Sequence, residues 1–307
     1  MSVLVPCFNE SKNIVPLCSK LNEVFEKHPD YTFDILFVDD GSVDDTVEQI
    51  KQLANCSQNI KLIELSRNFG KEVALTAGIH EADCDALIIM DSDMQHPPEI
   101  ISSFIKEWES GFDIVATKRI EIENRSFVKK IGSKAFYRIM SYISETEMVS
   151  GSTDFRLLDR KVVVELKRFT ERNRLVRGMI DWVGYNKTYV EFSAPERLHG
   201  EAGYTLSKLF KLAVNSITSF SLLPLRIAGF LGGLISLVST FLLFWMLIDK
   251  VILGQSTFTS ISYVIVVNTF LIGLVLICLG FIALYIGNIH VEVVNRPLFI
   301  VKNKTNI

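Results

Sequence analysis

The period of the apolar positions changes along the chain. Over roughly the first 120 residues, short runs of β-branched and aliphatic residues alternate with stretches in which apolar positions recur every three or four residues. Residues 2–7, 33–38, 60–65, 86–90 and 113–117 read as strands, and residues 14–27, 45–53, 72–81 and 98–108 as helices. Such alternation requires crossover connections, so the pattern predicts an α/β fold with an open, mostly parallel sheet covered on both faces. Ligands of such sheets bind beyond the carboxyl ends of the strands. A different pattern closes the chain. Ile227 to Ile248 is a run of 22 residues without a charge, and Val251 to Ile289 is a second uncharged run, densely apolar from Ile261. At about 1.5 Å per residue the first run spans roughly 33 Å, against a hydrocarbon core of about 30 Å. Two transmembrane helices are therefore expected, at about 226–248 and 261–289.

Two further stretches have one apolar face. Between Phe127 and Ile143 the apolar positions are Val128, Ile131, Ala135, Ile139 and Tyr142, accompanied by Arg125, Lys129, Lys130, Lys134 and Arg138. Between Tyr204 and Phe220, Leu206, Leu209, Phe210, Ala213 and Ile217 recur at helical spacing just before the first long run. Basic amphipathic helices of this kind suit a membrane surface. The expected organisation is an α/β domain over 1–200, an interfacial helix over 201–224, two spans within 225–290 and a tail over 291–307. Residues 291–301 of that tail are suited to form a strand that pairs with a neighbouring copy in a homo-oligomer.

Composition sharpens this division. Hydrophobic residues make up 49% of the 307, and mean hydropathy is +0.29, high for an ordinary soluble enzyme. The first 226 residues nevertheless carry 28 Lys/Arg and 33 Asp/Glu, a net charge of −5 that argues against nucleic acid as partner. Five cysteines with no C-x-x-C spacing fit a reducing compartment, and the start Met-Ser-Val-Leu-Val-Pro offers no basic region of a signal peptide. Lys208, Lys211 and Arg226 precede the first expected span and Arg296, Lys302 and Lys304 follow the second, whereas Lys250 stands alone between them. The positive-inside rule then places the large domain and the tail in the cytoplasm.

The polar residues gather at the expected strand ends. These are Pro6-Cys7-Phe8-Asn9-Glu10, Asp39-Asp40-Gly41-Ser42, Ser66-Arg67-Asn68-Phe69-Gly70-Lys71 and Asp91-Ser92-Asp93-Met94-Gln95-His96-Pro97-Pro98-Glu99. Asp91 and Asp93, with Gln95 two residues on, offer hard oxygen ligands for Mg²⁺ or Mn²⁺, ions that favour sites shared with phosphate oxygens. An acidic turn capping the next helix would have the same residues. Asp39 and Asp40 suit a tight turn, or an acceptor for the edge of a nucleobase, and Glu10 could reach ribose hydroxyls. Arg67 and Lys71 bring positive charge beside a glycine, as a diphosphate requires.

In this order and spacing the four motifs resemble the inverting GT-A glycosyltransferases of family 2, and in particular the polyprenyl-phosphate glycosyltransferases. The resemblance continues through Gly151-Ser152-Thr153-Asp154-Phe155-Arg156-Leu157-Leu158-Asp159-Arg160, the 197–208 stretch and the paired apolar runs, so it covers almost the whole chain. It implies a GT-A domain with Pro6, Phe8, Glu10 and Asp40 around the nucleoside. It further implies that Asp91, Asp93 and Gln95 hold metal and diphosphate, that Asp154 faces the reaction centre, and that Arg197 and Lys208 close over the donor. Asp39, Arg67 and Lys71 complete the expected donor set; Asp93 joins Asp154 as a candidate catalytic group.

The basic stretch points to the acceptor. A polyprenyl phosphate presents its anion at headgroup depth, within reach of Arg125, Lys129 and Lys130, and Arg156 is grouped with them. The expectation is transfer from a UDP-sugar to undecaprenyl phosphate on the cytoplasmic face of a bacterial inner membrane. Glucose leads the candidates; N-acetylglucosamine, galactose, mannose from GDP-mannose or a modified arabinose would need the same motifs. A processive polysaccharide synthase would need more spans and a Gln-x-x-Arg-Trp segment. A catalytically silent nucleotide-sugar sensor would not need Asp91, Asp93 and Asp154 together.

Overall fold

The computed structural model describes residues 1–119, 152–172, 174–192 and 260–307. An eight-stranded sheet contains β1 (Ser2–Cys7), β2 (Asp34–Asp39), β3 (Ile60–Leu65), β4 (Ala86–Ile89), β5 (Ile114–Arg119), β6 (Ser152–Asp159), β7 (Lys187–Phe192) and β8 (Val301–Thr305). Their order is β7-β5-β6-β4-β1-β2-β3-β8. The helices are α1 (Ser11–Phe25), α2 (Thr46–Cys56), α3 (Lys71–Glu81), α4 (Ile101–Glu109, entered through a 3₁₀ turn at Pro98–Ile100), α5 (Arg160–Arg168), α6 (Val176–Trp182) and α7 (Ser260–Val294).

The central strands are apolar at successive positions because both their faces are covered. Val3, Val5, Ile35 and Phe37 pack with Ile14, Leu17, Ile50 and Phe104 of α1, α2 and α4 in one core. Leu4, Leu36, Val38 and Ile63 pack with Ala74, Leu75, Val163 and Ile180 of α3, α5 and α6 in the other. A Cβ at Gly78 would lie 2.1 Å from a Leu4 methyl carbon, so α3 approaches β1 more closely than a side chain there allows.

The five expected strands and four expected helices are present with modest shifts at their ends. Among the described strands the sheet is mostly parallel, as expected, and β5 pairs parallel with β7, while β6 and β8 run the other way and make it mixed. β1, β2, β3 and β4 run parallel, but β6 is antiparallel to both β4 and β5. Its sequence, Ser-Thr-Asp-Phe-Arg-Leu-Leu-Asp, has no two-residue alternation to announce a strand.

The tail also departs from expectation. α7 continues to Val294, and the strand forms later, at Val301–Thr305, antiparallel to β3 of the same chain. Asn303 Nδ2 donates to Glu64 Oε1 at 3.0 Å, Lys304 pairs with Glu81 at 2.6 Å, and Asn306 Nδ2 donates to the carbonyls of Ala54 and Ile60. Lys302 and Lys304 keep this edge strand charged, which discourages further pairing.

The chain divides into two compact units, residues 1–204 with 296–307, and residues 205–295. Among the residues whose side chains are described, no helix is long and apolar enough to cross a membrane. The first expected span, 226–248, and the amphipathic stretches at 127–143 and 204–220 lie outside the described residues. The second expected span falls within α7, a helix of 35 residues.

Candidate active site

The carboxyl ends of β1 to β4 meet around a cavity of about 370 Å³ lined by Pro6, Phe8, Glu10, Asp40, Asn68, Gly70, Lys71, Asp91 and Asp93, a size within the ordinary range for small-ligand sites. Its wall is laced by backbone contacts. Asp40 accepts from the amides of Phe69 (2.7 Å) and Gly70 (2.8 Å), tying the loop after β3 to the end of β2. Burial raises the Asp40 carboxyl, and those two amides oppose the shift. Gly41 has φ +75°, and a Cβ there would lie 2.6 Å from the carbonyl carbon of Arg67, so the two loops interlock only around glycine. Asn9 Oδ1 accepts from Val43 N, and Glu10 N donates to Thr46 Oγ1, both at 2.9 Å. Burial raises the Glu10 carboxyl, and nearby Asp93 and Asp91 act in the same direction.

The Asp91–His96 turn is held from beneath. His96 is buried, stacks on Phe155 with ring centroids 5.0 Å apart, and accepts the Asp91 amide at Nδ1 (3.1 Å), which leaves its proton on Nε2. Burial lowers its pKa although Asp91 and Asp93 favour the charged form. The Gln95 amide donates to Asp93 Oδ1 at 3.1 Å, and Met94 between them has φ +61°, an uncommon conformation for a non-glycine residue.

Lys71 joins this turn to β6. Its Nζ lies 2.5 Å from Asp91 Oδ1 and 2.9 Å from Asp154 Oδ2. Arg177, in the first turn of α6, reaches Asp154 Oδ1 through Nε at 3.0 Å and Nη2 at 2.5 Å. Burial alone would raise the Asp154 carboxyl, but Lys71 and Arg177 outweigh it and hold the group well below the usual carboxylate range. Beyond Asp91 and Asp154 a second cavity, of about 180 Å³, is lined by Gln95, His96, Arg119, Thr153 and Arg177.

The structure thus gathers Pro6, Phe8, Glu10, Asp40, Lys71, Asp91 and Asp93 at one cavity, with Asp154 joined through Lys71 and Gln95 lining the neighbouring cavity. Asp39 and Arg67 instead line a separate cavity of about 450 Å³. Asp39 is buried and accepts from Gly41 N and Ser42 N, both at 3.1 Å, which makes it a turn-forming carboxylate. Arg67 lies over the Phe69 ring at 4.0 Å.

Arg156 requires a correction. Only 1% exposed, it contacts Thr153 O, Ser152 Oγ and Asp181, so it braces β6 and cannot reach a lipid phosphate. Arg125, Lys129, Lys130, Arg197 and Lys208 lie outside the described residues. Sequence reasoning did not single out Arg119, Arg177 or the supporting role of His96. The available signal was Arg177, which stands with Asp181 among otherwise apolar residues from Leu175 to Val183, where a cation needs an acidic partner.

Among the described residues no three His, Cys, Asp or Glu side chains form a closed metal cage. Asp91 and Asp93 nevertheless present two carboxylates to the cavity of about 370 Å³. An open pair of hard oxygen donors fits a divalent ion that completes its shell with water and phosphate oxygens.

The acids and bases gather beyond the carboxyl ends of four parallel strands, where open α/β sheets bind their ligands, and the domain is GT-A-like. The chain belongs to the glycosyl transferase family 2, whose match spans residues 2–167. It is 38% identical over 306 residues to the uncharacterized glycosyltransferase YkcC of Bacillus subtilis (strain 168), covering 100% of this chain and 94% of that protein. Over 302 residues it is 36% identical to the SfII prophage-derived bactoprenol glucosyl transferase of Shigella flexneri, covering 98% and 97%. Among solved structures, mannosyl-3-phosphoglycerate synthase from Rubrobacter xylanophilus shares the fold with a TM-score of 0.52, at 15% identity over 70% of this chain and 71% of that one. The protein is accordingly a glycosyltransferase.

Proposed function

We propose that this glycosyltransferase moves a sugar, glucose first among the candidates, from a UDP-sugar to undecaprenyl phosphate or a related polyprenyl phosphate, inverting the anomeric centre. The carrying observation is the convergence of Glu10, Asp40, Lys71, Asp91 and Asp93 on one cavity that Lys71 joins to Asp154. The near-full-length likeness to a protein named bactoprenol glucosyl transferase supports the choice of acceptor and sugar.

In this reading Pro6, Phe8, Glu10 and Asp40 receive the nucleoside. Lys71 and Asp91 meet the diphosphate, and Arg197 and Lys208 close over it. Asp91 and Asp93, with Gln95 nearby, would hold Mg²⁺ or Mn²⁺, and that ion when bound would neutralise charge on the departing nucleoside diphosphate. Arg125, Lys129 and Lys130 receive the acceptor phosphate. A phosphate monoester has a second pKa near 6 and is mostly ionised at pH 7, so it attacks without a strong base. The ionised, doubly paired state of Asp154 suits orientation of the acceptor better than proton removal. Single in-line displacement would convert an α-linked donor into a β-linked product.

The same reading sets the enzyme at the cytoplasmic face of a bacterial inner membrane, with two spans between residues 225 and 290. Its support is the pair of uncharged runs, together with α7, where Ile261, Val264, Val275, Ile286 and Ile289 are exposed. The chain leaves the first unit near residue 204 and re-enters it at 296, so any bilayer it crosses is crossed an even number of times. The basic residues flanking both ends favour the cytoplasm for that unit.

The test is a donor screen. Purified full-length protein with Mg²⁺ or Mn²⁺ is given undecaprenyl phosphate and, in turn, radiolabelled UDP-glucose, UDP-N-acetylglucosamine, UDP-galactose and GDP-mannose. Lipid labelling greatest with UDP-glucose is expected. Labelling with another donor alone would replace the sugar; absence of labelling with every donor would remove the acceptor.

A further inference from the structure

Asp154 is held by two cations from different elements, and only one of them belongs to the strand-end motifs. Lys71, at the start of α3, takes Oδ2, whereas Arg177, at the start of α6, takes Oδ1 through two nitrogens. Each carboxylate oxygen therefore has its own cation, and rotation of the group would break both contacts. A paired geometry of this kind fixes direction as well as charge.

Arg177 is itself fixed on both sides. Glu72, next to Lys71 in the chain, accepts the Val176 amide through Oε2 at 2.7 Å and so anchors the backbone that enters α6. Asp181, one turn further along the same helix, pairs with Arg156 of β6 at 3.5 Å and Lys187 of β7 at 2.9 Å. Successive residues of α3 thus hold the carboxylate and the turn that delivers its second partner. Arg177 also lines the cavity beyond Asp91 and Asp154, so it stands at the proposed reaction centre rather than behind it.

We infer that Arg177 is a positioning residue for sugar transfer, acting through Asp154, with Glu72 anchoring the turn that presents it. The inference rests on the reading of Asp154 as a group at the reaction centre. Without Arg177, Asp154 keeps its contact with Lys71 but can turn about it, and misplacement at a reaction centre by an ångström costs about 10²-fold in rate.

The test is a double-mutant cycle on the full-length protein, with kcat and both KM values measured for Arg177→Ala, Asp154→Asn and the pair. Arg177→Ala is expected to lower kcat about 10²-fold with both KM values within about threefold of wild type, and Arg177→Lys to recover part of the loss. In the Asp154→Asn background, removing Arg177 should cost less than about threefold more, because the group it acts through is gone. Undiminished loss in that background, unchanged kcat in Arg177→Ala, or a change confined to the acceptor KM would overturn the inference; the last would make Arg177 an anion contact. Arg177→Lys is carried through the same cycle if the alanine variant does not fold. An Asp154→Asn protein with wild-type kcat would instead overturn the reading of Asp154 itself, before Arg177 is altered.

Discussion

An acid at a strand end serves the backbone or a ligand according to what already holds its oxygens. Asp39 and Asp91 occupy similar places in sequence, yet the Asp39 carboxylate is taken by two amides of its own turn, whereas Asp91 is met by a side-chain ammonium. The sequence suited Asp39 to a tight turn but left a ligand role open beside it, because both acids stand at the end of an apolar strand. Asp39→Ala is expected to lower Tm by about 3 °C, as loss of a capping carboxylate does, with the donor KM within about threefold of wild type. Asp91→Ala should do the reverse, with little change in Tm and a fall in kcat of about 10²-fold or more. Thermal melts and steady-state kinetics on the two variants separate the roles. Asp154 adds a pH prediction. Its folded-state pKa is depressed by Lys71 and Arg177, so its contribution to stability is present above the ordinary carboxylate pKa and is lost as pH falls through the lowered one. The Tm difference between wild type and Asp154→Asn should therefore be greatest above about pH 5 and shrink on further acidification. A difference that grows toward low pH would contradict the clamp.

At the scale of elements, β1 to β5 were legible because strands buried on both faces are apolar throughout and their crossover helices carry a 3.6-residue period. β6 was not, because it carries Asp154 and Arg156 and spends its polar positions on the site and on a buried ion pair. α6 was also hidden, being only seven residues long, and with it Arg177. β8 was misplaced since Val-Lys-Asn-Lys-Thr looks like a solvated tail until β3 supplies an edge for it. The strand has a consequence for the site. The Ser66 amide donates to Ile300 O at 2.9 Å, immediately before the loop that closes on Asp40 and delivers Lys71. Removal of residues 300–307 should lower Tm by about 5 °C through loss of the edge hydrogen bonds and raise the donor KM several-fold. Unchanged donor KM in a destabilised protein would confine β8 to a structural role.

At the scale of the whole molecule, the net-acidic first 226 residues differ in composition from the two uncharged runs that follow. The net charge of the first 226 residues and the two uncharged runs made that division legible from composition. The return of the tail to the sheet was beyond it, because a pairing across more than 200 residues leaves no local pattern. The return brings residues 296–307 back to the unit that holds the rest of the sheet. Neutralising Lys129 and Lys130 should raise the KM for lipid phosphate more than that for donor, whereas an equal effect on both would remove them from the acceptor site. The most direct test of the account follows the sugar itself. Full-length protein in detergent micelles is incubated with radiolabelled UDP-glucose, undecaprenyl phosphate and Mg²⁺, and the label entering the organic phase is counted. The prediction is organic-phase label that requires the lipid phosphate and is lost on chelation of the metal or in Asp91→Ala. Label that stays in the aqueous phase, from protein that binds UDP no differently from Asp91→Ala, would contradict it.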